Sequence, residues 1–264
     1  METPEQIQFT GVVVTYNEEK HLEACLTHLA FCNELIVIDL GSTDRCVQIA
    51  QQHKARVIQH ERVLVVEYLH QKALDMAQND WVILVDPDEV FSDGIAEELR
   101  AMIACEPTLA AIEIKDQYCF LGKPLYTTRW AYEQLKMFVY HRKRVKLNTD
   151  VHRNKHVLPG YIVKTLEKKE TDYFVTHYWI DSYQQLFEKH NRYIRHEGEA
   201  RYSCGLRFSW WTMLGDIIKN LIKNLFQYKG IVGGFRGIFL SFFYSWYVMM
   251  SWLSLRRYQK SKAV

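Results

Sequence analysis

The chain has 264 residues, of which 48% are hydrophobic and 24% are charged. This size and composition suit one or two globular domains and exclude a long disordered chain. The formal net charge is only +2, so the composition predicts no nucleic-acid partner. The six cysteines form no C-x-x-C pair, which argues against a zinc site and favours free thiols in a reducing cytoplasm.

Strands and helices alternate through the first part of the chain. Short apolar runs predict strands, and apolar residues spaced by three or four predict helices. The predicted strands are Phe9–Thr15, Leu35–Asp39, Arg56–Gln59, Asp80–Asp86 and Ala110–Ile114. The predicted helices are Glu18–Phe31, Cys46–His53, Glu67–Ala77 and Gly94–Cys105. Because the strands are almost entirely apolar, we expect an α/β fold of the Rossmann type, with a mostly parallel sheet and helices on both faces.

Polar residues cluster where three of these strands end. The clusters are Thr15-Tyr16-Asn17-Glu18, Asp39–Asp44 and Asp86–Glu89. Each cluster alone is typical of a helix cap or a turn. The carboxyl ends of parallel strands meet at one edge of a sheet, however, and ligands bind at that edge. The three clusters together therefore predict a functional site.

The third cluster has the chemistry of a metal site. Asp86 and Asp88 are two residues apart at a strand end, with Glu89 beside them, and they offer the hard oxygen ligands that Mg²⁺ or Mn²⁺ prefers. Such an ion would neutralise a diphosphate leaving group. In the other clusters, Tyr16 can stack on a base and Asp39 can accept a base N–H. A P-loop motif and a G-x-G-x-x-G fingerprint are both missing from the sequence, which argues against a P-loop ATPase and a dinucleotide-binding protein.

Three motifs give the chain a family resemblance. VVVTYNEE (12–19), IVIDLGSTD (36–44) and WVILVDPDE (81–89) resemble, in order and spacing, the motifs of family 2 inverting glycosyltransferases. The resemblance implies a GT-A fold, a nucleotide-sugar donor and a divalent metal. It implies that the nucleotide is contacted by Thr15, Tyr16, Asn17, Glu18 and Asp39, the ribose by Asp86 and the metal by Asp88.

Later segments resemble one branch of that family, which includes lipopolysaccharide-core glucosyltransferases. The segments are Gln134–Phe138, Val151-His152, His177–Trp179, Asn191–Tyr193 and Phe226–Gly237. This resemblance implies transfer of a hexose, with a UDP-sugar as the expected donor and a lipid-linked glycan, such as a lipopolysaccharide core, as the acceptor.

The chain departs from that branch at three places. Arg153 stands where the branch has Glu after V-H, Lys136 stands where Arg is common, and His70-Gln71-Lys72 replaces an Arg-Asn segment. Lys72 and Lys136 keep a positive charge for a donor phosphate, but a lysine cannot grip a phosphate with two parallel hydrogen bonds as an arginine can. We expect Lys72 to belong to the donor-binding residues.

The general base has three candidates. An inverting transfer requires a base near the acceptor hydroxyl, and His152, Asp150 and Glu133 are the candidates. His152 is favoured because it occupies the matching position and an imidazole titrates near neutrality. His177 has two interpretations, as a third metal ligand or as a cap for a helical region over Asp181–Arg201.

Positive charge is concentrated at the C-terminal end. Residues 201–264 hold ten Lys and Arg against one acidic residue, Asp216, which gives a net charge of +9, and the rest of the chain carries −7. This division predicts a GT-A domain over residues 1–200 and a basic, aromatic, helical membrane-associated region over residues 201–264.

Two segments of that region suggest a membrane. Ile217–Phe226 reads as a basic amphipathic helix or as an ordinary packing helix. Gly237–Leu255 is uncharged over nineteen residues, long enough to span a bilayer. Both of its flanks are basic. A single span would place one basic flank on the non-cytoplasmic side, which is unfavourable, whereas a helix at the anionic cytoplasmic surface keeps both flanks beside anionic lipids. We therefore expect peripheral or monotopic attachment to the cytoplasmic face of the inner membrane, ahead of a single span and of a buried core helix.

Two other functions compete with this prediction. A nucleotidyltransferase also uses an α/β sheet and a carboxylate-bound Mg²⁺, but a Gly/Lys/Arg-rich phosphate loop is expected after its first strand, and TYNEE (15–19) is not one. A membrane-bound scaffold protein with a decayed site is compatible with Arg153 but not with the intact DPD and TYN clusters.

Overall fold

The computed structural model describes residues 6–63, 66–132, 135–147, 155–166 and 173–262. The chain forms two compact units, the first from residues 1–117 and 135–178 and the second from residues 118–134 and 179–264. The strands are β1 (Phe9–Thr15), β2 (Glu34–Asp39), β3 (Arg56–Gln59), β4 (Trp81–Val85), β5 (Glu89–Phe91), β6 (Leu109–Phe120), β7 (Lys123–Pro124), β8 (Leu135–His141), β9 (Val145–Leu147), β10 (Lys155–Val157), β11 (Ile162–Thr165) and β12 (Phe174–Ile180). The helices are α1 (Glu19–His28), α2 (Cys46–Gln52), α3 (Glu67–Met76), α4 (Ile95–Cys105), α5 (Tyr183–Ser203), α6 (Trp210–Ile222) and α7 (Gly234–Lys262), and a π-helical turn, Lys223–Gln227, follows α6.

The main sheet is parallel on one side and mixed on the other. Its strand order is β3-β2-β1-β4-β8-β6-β12-β5, with β11 and β7 also paired to β6. β3, β2, β1 and β4 are parallel, whereas β8 pairs antiparallel to both β4 and β6. The predicted Rossmann-type α/β fold is confirmed, and the antiparallel strand β8 is an addition that the sequence pattern did not predict.

Alternating side chains of the parallel strands build two cores. In β1, Val13 faces one core, and Val12 and Val14 face the other. Helices α1, α2 and α4 cover the first face, and α3 covers the second with Leu69 and Leu74. Strands buried on both faces explain the almost entirely apolar sequences from which they were predicted.

The predicted elements of the first part of the chain match the structure, with shifts of a few residues at their ends. The main difference is β6, which was expected over Ala110–Ile114 but extends to Phe120. Its buried side chains keep a spacing of two through Ile112, Ile114 and Asp116. A carboxylate is therefore carried on the buried face of a strand, in continuation of two isoleucines.

The second unit contains three packed helices, α5, α6 and α7. The backbones of α5 and α7 approach closely at Gly198, where a Cβ atom would lie 2.6 Å from the carbonyl oxygen of Ser254. Nearby, Tyr247 donates a hydrogen bond to Glu197 at 2.9 Å. The predicted domain boundary after residue 200 falls inside α5. The sequence of this helix is highly charged, like that of the predicted first domain, but the helix packs along α7 and belongs to the second unit. The division into catalytic and membrane-associated functions stays a prediction.

Among the described residues, α7 is the one helix that is long and apolar enough to cross a membrane. Half of its most apolar window is buried inside the chain. Its buried residues include Leu240, Phe243, Val248 and Trp252. Length and composition are therefore compatible with a membrane helix, while packing already covers much of its apolar surface.

Candidate active site

The loops that follow β1 and β2 are hydrogen-bonded to each other, and we call them the loop pair (residues 16–18 and 40–45). Asn17 has a left-handed backbone, with φ of 54°, a conformation that Asn tolerates better than most residues. Its N–H donates to Ser42 Oγ at 3.0 Å, and its side-chain oxygen accepts from the N–H of Thr43 at 2.8 Å. The N–H of Glu18 donates to Cys46 Sγ at 3.2 Å. Side-chain to backbone hydrogen bonds therefore fix the predicted nucleotide-binding segment.

Two predicted nucleotide contacts are buried beneath this loop pair. Asp39 accepts hydrogen bonds from the N–H groups of Gly41 and Ser42, each at 3.2 Å. Thr15 Oγ1 lies 3.4 Å from Cys46 Sγ. Asp39 thus fixes its own loop, and the predicted contacts of Asp39 and Thr15 with a nucleotide stay predictions.

An arginine that the sequence analysis did not select stacks on Tyr16. The guanidinium carbon of Arg62 lies 4.1 Å from the centroid of the Tyr16 ring, and Nη1 donates to the phenol oxygen at 3.3 Å. Arg62 is exposed in the segment between β3 and α3. Its distance from Tyr16 along the chain gave no local signal for the contact. A cation therefore lies beside the aromatic ring that was expected to contact the nucleotide base.

The end of β4 carries a second polar group, in which a lysine links two carboxylates. Lys136, on β8, donates to Asp86 Oδ2 at 3.2 Å and makes a closer ion pair with Glu89. Glu89 is fully buried, and its other oxygen accepts from the N–H of Asp86 at 2.8 Å. Lys136 and Glu89 therefore hold the turn that presents Asp86 and Asp88.

A histidine on β12 joins the same group. His177 Nε2 lies 3.5 Å from Asp88 Oδ2, and its Nδ1 lies 3.3 Å from Asp116 Oδ2 and 3.6 Å from Glu89 Oε1. The N–H of Tyr178 donates to the carbonyl oxygen of Asp88 at 2.8 Å, which fixes β12 beside the turn. His177 does not cap α5, because Ser182 supplies the cap by accepting from the N–H of Gln185 at 3.1 Å. We call the whole group the carboxylate cluster: Asp86, Asp88, Glu89, Asp116, Lys136 and His177.

Charge and burial shift the pKa values of this cluster in different directions. The positive charge of Lys136 is the main cause that lowers the pKa of Asp86 to about 2. Burial raises the pKa of Glu89 to about 7, although Lys136 acts in the opposite direction. Burial acts to lower the pKa of His177, but its interactions with Asp116 and Asp88 outweigh burial and raise that pKa to about 10. The cluster thus carries an excess of negative charge that favours cations.

Asp116 gives the cluster an unsatisfied acceptor. The side chain is buried, and its Oδ1 has no hydrogen-bond partner among the described residues. Single ligand atoms from Glu89, Asp116 and His177 lie within 4.8 Å of one another. A buried oxygen without a partner is costly unless a donor or a cation satisfies it. Carboxylate and imidazole ligands together suit a divalent ion such as Mn²⁺.

The other predicted site residues are distributed as follows. Lys72 is exposed on α3, whereas His70, on the same helix, is close enough for its charge to act on Asp86. The three candidate bases, Glu133, Asp150 and His152, lie outside the described residues. Asp116 was missed, although its spacing of two from Ile114 and Ile112 would have placed it on the buried face of a longer strand.

A comparison with protein families identifies the class of this chain. A family model for glycosyl transferase family 2 matches residues 10–157, which is more than half of the chain. The match includes the loop pair and the turn that carries Asp86 and Asp88. The chain therefore belongs to glycosyltransferase family 2, and it is a glycosyltransferase.

Bacterial relatives agree with this assignment. A protein of Rickettsia typhi described as an uncharacterized glycosyltransferase is 28% identical over 239 residues, which cover 85% of this chain and 78% of the relative. LpsC of Rhizobium meliloti, described as a lipopolysaccharide core biosynthesis glycosyltransferase, is 23% identical over 44% of this chain and 45% of its own length.

Solved structures share the fold. The mannosyltransferase PcManGT from Pyrobaculum calidifontis, in complex with GDP-Man and Mn²⁺, aligns with a TM-score of 0.58 at 12% identity, over 97% of this chain and 89% of that chain. Residues 1–349 of S. aureus TarS, in complex with UDP, align with a TM-score of 0.51 at 15% identity, over 97% and 92% of the two chains. The GT-A fold expected from the sequence motifs is confirmed.

Proposed function

We propose that this chain is a metal-dependent, inverting glycosyltransferase that transfers a hexose from a nucleotide sugar to a lipid-linked glycan. A UDP-sugar is the expected donor, and a lipopolysaccharide core is the expected class of acceptor. The carboxylate cluster beside the loop pair is the observation that carries the proposal, because it joins a cation-binding group to a segment matched by the family model.

The residues of the cluster fit a divalent metal, which on binding would displace the proton from Nε2 of His177. Asp88 Oδ2 and His177 Nε2 are 3.5 Å apart, whereas two neighbouring ligands of one octahedral ion, each about 2.1 Å from it, are separated by about 3 Å. Asp116 holds Nδ1 of the imidazole, which directs Nε2 towards Asp88. When bound, the ion would neutralise the diphosphate of the leaving group. The carboxylate ligands suit either Mg²⁺ or Mn²⁺.

The donor's nucleotide is assigned to the loop pair. Tyr16 offers a ring for the base, and Asn17 and Glu18 line the same loop. Asp86 is assigned to the ribose, with Lys136 holding its carboxylate ionised. Arg62 and Lys72 supply positive charge for the phosphates. The GDP-Man and UDP complexes of the structural neighbours support a nucleotide-sugar donor without selecting the base or the sugar.

The reaction requires one proton transfer and one displacement. A base removes the proton from the acceptor hydroxyl, and the oxygen attacks the anomeric carbon of the donor sugar. The bond from that carbon to the phosphate oxygen breaks, and the nucleoside diphosphate leaves with the electron pair. His152 is the proposed base, and Asp150 and Glu133 are the alternatives.

The acceptor and the location are proposed together. The description of the Rhizobium meliloti relative supports an acceptor of the lipopolysaccharide-core class. A lipid-linked acceptor requires an enzyme at the membrane, and the net charge of +9 over residues 201–264 favours an anionic leaflet. We place the protein at the cytoplasmic face of the inner membrane, as a peripheral or monotopic protein.

A donor screen tests this proposal. The full-length protein is incubated with UDP-glucose, UDP-galactose, UDP-N-acetylglucosamine or GDP-mannose, with Mn²⁺, Mg²⁺ or EDTA, and release of the nucleoside diphosphate is measured. We expect slow hydrolysis of a UDP-sugar that requires the metal. Calorimetry should show UDP binding that weakens in Tyr16→Ala.

The rival functions predict different outcomes. Equal turnover with EDTA and with Mn²⁺ would remove the metal from the proposal. Release of pyrophosphate from a nucleoside triphosphate would indicate a nucleotidyltransferase. Binding of UDP without turnover of any donor, in the presence of a lipopolysaccharide-core acceptor, would indicate a scaffold protein with a decayed site.

A further inference from the structure

Helix α6 carries apolar side chains on two of its faces. One face packs against α7, where Met213 joins the buried residues Val248, Trp252 and Leu255. The second face is exposed and is formed by residues spaced three or four apart. These residues are Trp211, Leu214, Ile218 and Ile222, and with Phe226 in the following π-helical turn they are called the α6 face here.

The exposure of the α6 face is large for such side chains. Trp211 is 84% exposed, Ile218 is 57% exposed and Phe226 is 65% exposed. Further exposed apolar residues follow, Ile231 and Val232 in the connection to α7 and Phe235 in the first turn of α7. A packing helix needs only one apolar face, so a second exposed one indicates an interaction surface.

The charges around the α6 face are mainly positive. Lys219 and Lys229 are exposed, and Lys223 is half-buried. Asp216 is the single acidic residue between positions 201 and 264, and its carboxylate accepts a hydrogen bond from Trp252 Nε1 at 3.0 Å. The one local negative charge is therefore engaged with a side chain of α7. A surface that is apolar, aromatic and basic suits an apolar partner with anionic groups at its boundary.

We propose that the α6 face docks into the interfacial region of an anionic lipid bilayer. Trp211 then lies at headgroup depth, the aliphatic residues enter the acyl boundary, and the lysines contact lipid phosphates. This inference rests on the membrane location proposed above and not on the sugar-transfer reaction. The sequence pattern had drawn attention to both Ile217–Phe226 and Gly237–Leu255, and this inference assigns docking to the first of them, together with the preceding turns of α6.

The packing of α7 argues against that segment as the inserted element. Its apolar window is half buried, and two of its polar side chains pair with α5, Tyr247 with Glu197 at 2.9 Å and Ser254 with the carbonyl oxygen of Ile194 at 2.7 Å. To enter hydrocarbon, α7 must either leave α5 or carry the charges of α5 with it, and both are costly. Docking through α6 leaves this packing intact.

A second copy of this chain fits the α6 face less well. Pairing two copies through this face brings three lysines from each copy together, with only one nearby acidic residue per copy, Asp216. Like charges at an interface act against association. An anionic bilayer supplies the opposite charge and also accepts the apolar side chains.

Vesicle flotation of full-length variants tests the proposal. The vesicles contain phosphatidylglycerol and phosphatidylcholine in equal parts, or phosphatidylcholine alone. Removal of two exposed apolar residues, in Trp211→Ser/Ile218→Ser, should weaken partitioning into anionic vesicles by roughly tenfold or more. Neutralisation in Lys219→Gln/Lys223→Gln should weaken it by about tenfold and reduce its dependence on salt. The matched control removes exposed apolar residues of α7, in Ile238→Ser/Phe242→Ser, and should retain most of the binding.

Three outcomes would overturn the proposal. Loss of binding in the α7 control with retention in the α6 variant assigns docking to α7. A wild-type protein that ignores anionic vesicles removes the lipid partner altogether. A change from oligomer to monomer in Trp211→Ser/Ile218→Ser assigns the face to a second copy. UDP affinity, measured in the same preparations, should be unchanged in the α6 variants, so failure of docking and failure of the proposed reaction are distinguished.

Discussion

The loop pair and the carboxylate cluster lie at the ends of neighbouring strands, but they satisfy their polar groups in different ways. In the loop pair, Asn17 and Asp39 accept hydrogen bonds from backbone N–H groups of Ser42 and its neighbours. In the carboxylate cluster, four acidic side chains share Lys136 and His177, and Asp116 Oδ1 has no partner among the described residues.

This difference separates two tasks. A loop whose polar groups are already paired is rigid, and it can present a shaped surface to a neutral or aromatic ligand. A cluster with excess negative charge is incomplete by itself, and a bound cation completes it. Substitutions should therefore reduce loop order at the first site and cation-dependent chemistry at the second.

The largest effect is expected at Asp88. Asp88→Asn keeps the shape of the side chain but removes the charge that faces His177 Nε2. We expect the rate of metal-dependent transfer to fall by about 100-fold or more, because a main electrostatic stabiliser of the leaving group is lost. The initial rate of nucleoside diphosphate release at saturating Mn²⁺ is the measurement. Calorimetry should show weaker Mn²⁺ binding in the same variant.

Asp93→Asn is the matched control for this prediction. Asp93 lies near the start of α4, and its side chain is 99% exposed. The control should keep both the rate and the Mn²⁺ affinity. Full activity of Asp88→Asn would assign metal binding to other members of the cluster.

The sequence predicted the parts of this site that depend on local pattern. The strands β1, β2 and β4 and the residues at their ends follow from apolar periodicity within short segments, so Asp86, Asp88 and the loop pair were found. Lys136 and His177 were named as candidates alongside the family resemblance, whereas Asp116 was missed. The three residues come from β8, β12 and β6, which reach the cluster through pairings between distant parts of the chain. The antiparallel insertion of β8 between β4 and β6 is not encoded in any local pattern of its sequence.

The C-terminal helices show a similar limit. The apolar composition of Gly237–Leu255 and the basic flanks were readable, and so was the amphipathic pattern of Ile217–Phe226. The sequence did not predict that α7 packs on α5, because α5 is highly charged and has few apolar residues to mark a packing face. Only the packing of α5 on α7 reveals which apolar surface is covered and which one, on α6, is exposed.

The next largest effect is expected from removing the lysine of the cluster. Lys136→Met removes the ion-pair partner of Asp86 and leaves the buried Glu89 with His177 as its remaining positive neighbour, and we expect a loss of about 2–3 kcal/mol in the free energy of unfolding. Protonation of Glu89 limits the loss, so the variant should be less destabilised at pH 5 than at pH 8. Chemical denaturation at both pH values checks this. Lys143→Met is the control, because the pair of Lys143 with Asp80 is exposed and should contribute less than about 1 kcal/mol.

A smaller effect is expected in the loop pair. Asn17→Ala loses the hydrogen bonds to Thr43. It also places alanine, which tolerates a left-handed backbone less well than asparagine, at a φ of 54°. We expect a loss of about 1–2 kcal/mol in stability, together with weaker UDP binding. Asn17→Gly separates the two causes, because glycine tolerates the backbone and lacks the side chain. If Asn17→Gly is as stable as the wild type, the hydrogen bonds between the loops contribute nothing measurable.

The smallest effect concerns a histidine outside the cluster, and it sharpens the contrast with His177. Burial, assisted by the positive charge of Arg144, lowers the pKa of His141 to about 4. In the unfolded chain an imidazole has a pKa near 6.5, so between these two values the unfolded state binds more protons than the native state. Stability should therefore fall as the pH is lowered from about 6.5 towards 4, and His141 contributes about 1 kcal/mol of this loss between pH 6 and pH 5. His141→Gln should make the free energy of unfolding less dependent on pH in this window, measured by urea denaturation at steps of half a pH unit.

His156→Gln, at an exposed position on β10, is the control, and its stability should depend on pH as steeply as that of the wild type. Equal slopes for His141→Gln and the wild type would mean that the native state protonates this imidazole without cost, despite its edge-on packing against Trp81 at a ring separation of 5.1 Å.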